Sequence, residues 1–107
     1  MLAALLCNLP RPFIARIERQ ARREEAEKLE PILEKEIRRA EVVVKKAQLK
    51  ARKTQDIELV NLADLNFTEL RNAVEQAIRR TDVEFLHQTL KQLKRKRRRI
   101  MVLMFID

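Results

Sequence analysis

FIARIERQARREEAEKLEPILEKEIRRAEVVVKKAQLKA, residues 13–51, decides the fold. Ile14, Ile17 and Ala21 recur at three- and four-residue spacing, and beyond Pro31 so do Leu33, Ile37, Ala40, Val44, Ala47 and Ala51. That is the period of one face of an α-helix. Glu18 and Arg22, Glu24 and Lys28, Glu34 and Arg38, and Glu41 and Lys45 each place an acid four residues ahead of a base. In that order a pair stabilises a helix by roughly 0.3 kcal/mol. The stretch predicts a long amphipathic helical region over residues 13–55.

Pro31 divides it. A proline inside a helix loses one hydrogen bond and clashes with the carbonyl four residues back, at about 3 kcal/mol. The apolar seam changes at the same place. Between Ile17 and Ile37 it continues only by steps of four, through Ala21, Glu25, Leu29 and Leu33. Each such step drifts by about 40°, so the seam turns by roughly 200° in all. A kink or break near Pro31, with a different partner surface on either side, accounts for both features.

Outward from this region the chain is apolar on one side and turn-rich on the other. Residues 1–12 form an apolar N-terminal segment, with Leu2, Leu5 and Leu6 ahead of Pro10 and Pro12. Lys53 to Asp56 interrupts the helical pattern, and Ile57 to Leu65 reads as a short helix or a strand. Two capping boxes follow, Asn66 with Glu69 and Thr81 with Glu84, in which the side chain and the acid satisfy each other's amides. They open a two-helix hairpin within residues 56–99, with Phe67, Leu70, Val74, Ala77 and Ile78 inward on the first helix and Val83, Leu86, Leu90 and Leu93 on the second. Residues 100–107 are an apolar tail that extends the last helix or forms a strand.

Composition agrees with an all-α chain. The 107 residues include no Gly and three Pro, so turns that need positive φ have no inexpensive residue. Lys and Arg total 24 against 16 Asp and Glu, a net charge of +8. Residues 1–53 carry 14 bases and 8 acids, residues 54–90 carry 3 and 7, and residues 91–107 carry 7 and 1. Basic ends around an acidic middle favour polyanions and also contact within or between chains.

Catalysis finds no footing here. Cys7 is the single cysteine, which excludes an intrachain disulfide and a cysteine-based zinc site. His87 is the single histidine; Glu84 and Gln88 lie near it on the helix, with no second ligand at metal spacing. It reads as a surface or interface residue. Without Gly no phosphate-cradling loop forms, and no nucleophile, base and orienter can be assembled. The expectation is a non-enzyme with no cofactor and no metal.

Lys94-Arg95-Lys96-Arg97-Arg98-Arg99 is the sharpest local feature. Cations at a helix C-terminus complement its dipole, but six in succession exceed what capping needs. They suit phosphates, without reading sequence. With no Trp or Tyr and no Phe inside the basic runs, bases have no stacking platform. A helix-turn-helix reader is disfavoured because Asp82 and Glu84 would stand against phosphate at the start of its recognition helix.

The sequence thus predicts an elongated, oligomeric all-α protein: a long helical region kinked or broken near Pro31, then a hairpin. Its function is expected to be a structural or assembly subunit of a larger complex, homo-oligomeric, virion-like or ribonucleoprotein-like. Leu2, Leu5, Leu6, Leu33, Ile37, Val44, Val102 and Phe105 are the expected docking residues toward other protein subunits. The alternative is a nucleic-acid-binding protein of low specificity using Lys94 to Arg99. An amphipathic helix on anionic lipid is a weaker third reading. The lone cysteine and the lack of a basic n-region or cleavage site suggest an intracellular setting, or the interior of an assembled particle, reached without a secretory signal.

Overall fold

The computed structural model describes residues 11–105, and every regular element among them is helical. Helix α1 spans Arg11–Thr54, α2 Ile57–Leu62, α3 Phe67–Arg79 and α4 Val83–Met104. Of the two stretches left open between helix and strand, residues 57–62 of the first and 100–104 of the second are helix, and 63–65 lie in the connection that follows. The N-terminal segment, with Leu2, Leu5 and Leu6, lies outside the described residues.

At about 1.5 Å per residue the 44 residues of α1 should extend roughly 66 Å. The long axis of the molecule is 64 Å, against 26 and 18 Å across it, so α1 sets the shape. The radius of gyration of 19.2 Å exceeds the ~13 Å of a compact domain of this size.

Helix α1 continues through Pro31. The expected break does not occur, and a kinked long helix followed by a hairpin is the arrangement found. Pro31 and Glu27 both face solvent, so the carbonyl that the proline leaves without a donor can be hydrated.

The chain runs up α1, turns through α2, descends α3 and ascends α4. Three side-chain contacts fix α4 parallel to α1: His87 on Glu25, Arg97 on Glu36, and Lys50 on the carbonyl of Met104. Helix α3 reaches α4 through the tight turn at Thr81 and Asp82 and so runs antiparallel to it, with Arg71 reaching Glu41 and Glu34 of α1.

On α1 the buried seam begins at Ala26 rather than at Ile17. Its spine is two seven-residue series, Ala26, Leu33, Ala40 and Ala47, and Ile37, Val44 and Ala51, with Leu29 and Glu36 buried along its edge. A seven-residue repeat keeps one face toward one neighbour, as in a coiled coil. The lower part packs on Val74, Ala77, Leu86 and Leu93 of α3 and α4. The upper part packs on Leu59, Ala63 and Ile100. Small alanines at four of the positions leave room for the large side chains opposite.

Leu33, Ile37 and Val44 were expected to face other subunits. They are instead 0%, 1% and 3% exposed within their own chain, because α3 and α4 supply the partner surface.

The turns manage without glycine. Gln55 and Thr81 take positive φ, 54° and 53°. Gln55 closes α1 by donating its N–H to the Ala51 carbonyl at 2.8 Å. At the end of α3, the N–H of Thr81 donates to Ile78 and that of Asp82 to Ala77, the paired bonds of a Schellman motif. Asn66 caps α3 as expected, accepting from the Glu69 N–H at 3.1 Å. For α4 the expected cap Thr81 is off by one residue. Asp82 accepts from the Phe85 N–H, because Thr81 is committed to the left-handed turn.

Candidate functional site

Helix α4 buries Leu86, Leu93 and Ile100 against α1, and this fixes where its cations point. At about 100° per residue, Lys91, Lys94, Arg95 and Arg98 fall within roughly 100° of arc on the opposite side. These four side chains line one shallow depression, and no acid lines it. Among the described residues none of the four is held in an ion pair or hydrogen bond. Arg99 is also exposed, at the edge of the same face.

The six-residue run is therefore not one site. Lys96 turns toward α3, where it borders a groove with Leu65, Glu69, Leu70 and Thr89. Arg97 turns inward. Its Nε donates to a carboxylate oxygen of Glu36 at 2.6 Å, with Glu36 only 3% exposed, and its guanidinium also contacts the sulfur of Met101. An unpaired carboxylate buried at that position would be costly, so Arg97 answers a structural requirement of α1. Its expected place in a phosphate-binding cluster is corrected accordingly. Lys91 was missed because Gln92 and Leu93 separate it from the run; the helical spacing 91, 94, 95, 98 was the available signal.

His87 meets Glu25 of α1 at 2.7 Å, with both side chains about half exposed. Neither Glu84 nor Gln88 is its partner. The contact joins the start of α4 to α1. Among the described residues no three of His, Cys, Asp and Glu gather as a metal would require.

A second surface lies at the lower end of α1. No residue between Arg11 and Glu25 is buried. Phe13 and Ile17 are 53% and 46% exposed, with the guanidinium of Arg16 stacked 5.8 Å from the Phe13 ring centre. Ile17, Arg16, Gln20, Ala21 and Glu24 outline an open groove there. By helical geometry the Phe13, Ile17 and Ala21 stripe is turned about 180° from the seam of Leu33 and Ile37. It belongs to a different face.

At the upper end Val102 and Phe105, both expected docking residues, are 60% and 81% exposed. Ile57 and Val60 of α2 are exposed as well. No helix among the described residues is long and apolar enough to cross a membrane.

No family model matches the chain, and neither a curated protein nor a solved structure matches it.

Proposed function

We propose that this chain is a non-catalytic structural subunit that joins other protein subunits through the uncovered end of α1. The observation that carries the reading is the exposed stripe of Phe13, Ile17 and Ala21 in the stretch of α1, Arg11 to Glu25, that buries no residue. A longer α4 would not cover it, since the stripe faces away from the α4 seam. Glu18, Glu24 and Glu25 are interleaved with Arg16, Arg19, Arg22 and Arg23, so the surface carries both signs. Mixed charge around an apolar stripe suits another amphipathic helix, and the acids disfavour anionic lipid. Val102 and Phe105 add a second apolar contact at the far end.

Light scattering across a concentration series tests the reading. A concentration-dependent oligomer is expected, and Phe13→Asp with Ile17→Asp should return it to the monomer without lowering the unfolding temperature. A folded monomer at every concentration would sink it.

A second reading has its own observation, the unpaired cationic face of α4. In that reading the chain holds a nucleic acid through its phosphates, without reading sequence. An assembly subunit that also holds a genome or an RNA combines both. Absence of binding to DNA or RNA at low salt would refute this second reading.

A further inference from the structure

We propose that the phosphate-contacting surface is a four-cation face of α4, Lys91, Lys94, Arg95 and Arg98, that tracks the backbone of a nucleic-acid duplex, with Arg97 withheld from it. This rests on the nucleic-acid reading above and names its residues and ligand.

The cations stand on one convex side of a single helix, from Lys91 to Arg98 a rise of about 10.5 Å. Side chains that line only one another, with no acid in the depression, repel each other unless an anion is present. A repeating polyanion answers a row of this kind better than one isolated acid. Double-stranded nucleic acid carries a charge for about every 1.7 Å of axis.

Two features select a duplex over other polyanions. No ring lines the depression: Phe85 lies outside this face and His87 is held on Glu25 of α1, so unpaired bases have no stacking platform among the four cations. The apolar seam of α4, Leu86, Leu93 and Ile100, is buried in the protein and the exposed Val102 and Phe105 lie beyond the four cations, so no apolar side chain stands among them to insert into a lipid surface. Backbone phosphates then supply the contact.

The partition has a physical cause. Glu36 stands in the buried seam of α1 and takes Arg97 at 2.6 Å. That pair anchors the helix and aims the remaining cations outward. Arg97 is a positioning residue, whereas Lys91, which is outside the basic run, touches the ligand.

Anisotropy titrations of the full chain against a random-sequence DNA duplex at rising salt test the assignment. Each neutralised phosphate contributes about −0.9 to the slope of log affinity on log salt. Four contacts predict a slope near −3.6, an affinity loss of about 150-fold between 50 and 200 mM salt. Lys91→Gln with Arg95→Gln should reduce that loss to about 12-fold, and Arg39→Gln with Lys46→Gln, exposed on α1 away from both surfaces, should leave it unchanged. Arg97→Met paired with Glu36→Met keeps net charge and packing, and circular dichroism reports whether it folds; its slope should match that of the unmodified chain.

A slope unmoved by Lys91→Gln and Arg95→Gln overturns the proposal, as does a fall caused equally by the α1 pair. A shallower slope in the folded Arg97→Met, Glu36→Met variant overturns the exclusion of Arg97. No binding of the unmodified chain to duplex at low salt defeats the parent nucleic-acid reading itself. Binding instead to phosphatidylserine vesicles or to a poly-glutamate peptide would assign the face to a different ligand and overturn the proposal.

Discussion

The two halves of α1 share one helical period and differ in what covers them. From Ala26 to Ala51 the seam is buried by α3, α4 and α2, and its residues include four alanines. From Arg11 to Glu25 the stripe of Phe13, Ile17 and Ala21 includes two large residues, and nothing in the described chain buries it. Helix α4 has 22 residues and α1 has 44, so α4 has the length to line only about half of α1. Amphipathic pattern tells which face of a helix needs a neighbour. The face and length that the other described helices cover tell whether that neighbour is among them.

Truncating one large apolar residue in each half should separate them most sharply. Leu33 is fully buried, so Leu33→Ala should cost about 3–4 kcal/mol through lost burial and the cavity left behind. Ile17→Ala, at a position 46% exposed, should change monomer stability by less than about 0.5 kcal/mol. Urea unfolding at a concentration low enough to keep the chain monomeric makes the measurement. Equal losses in the two variants would mean that the lower half of α1 is covered after all.

Much of this division was legible in the residues. The helical period, the Asn66 cap, the hairpin and the inward positions of α3 and α4 all follow from local pattern. What the pattern lacks is the identity of the neighbour. Leu33, Ile37 and Val44 look the same whether they meet another subunit or α4, so they were misassigned to docking. The basic run was misjudged for a related reason. Consecutive cations point in all directions around a helix, and only knowledge of the buried side separates Arg97 from Arg98. Glu36 was the overlooked signal, an acid at a seam position beside Ile37 that requires a base from elsewhere. The cap at Asp82 was missed by one residue because Thr81 carries positive φ, which sequence assigns first to glycine.

That turn decides whether α4 returns along the covered half of α1, and it carries a correctable cost. A β-branched residue at φ 53° suffers the clash of Cβ with the following carbonyl. Thr81→Gly should remove it and raise stability by about 1 kcal/mol, even after glycine's greater freedom in the unfolded chain. The hydrogen bonds of the turn are made by backbone groups and remain. Thermal unfolding should shift upward with no change in oligomeric state. A loss of stability would mean that the Thr81 hydroxyl, which donates to the Arg80 carbonyl at 2.7 Å, outweighs the backbone strain.

The smallest effect concerns charge, and again only in the covered half. Arg71 of α3 lies between Glu34 and Glu41 of α1. Its hydrogen bond and charge hold the Glu41 carboxyl below the ordinary value of 4.5, against the opposing effect of desolvation, with Lys45 and Arg38 adding to the lowering. Glu41 in turn raises the already high pKa of Arg71, which stays charged throughout. A carboxylate whose pKa is lower in the folded state binds fewer protons there than in the unfolded chain. The stability it contributes is therefore complete above the unfolded value and disappears as pH falls through the folded one. Both side chains are partly exposed, so the amount should stay below about 1 kcal/mol. Glu41→Gln should accordingly lower stability slightly at neutral pH, and the gap to the unmodified chain should close in acid below about pH 4.5. Added salt should narrow the gap at neutral pH as well. For Glu18, which faces solvent on the uncovered half, the same substitution should leave monomer unfolding at neutral pH almost unchanged. A gap for Glu41 that stays constant into acid would show that the side chain acts through packing and not through its charge.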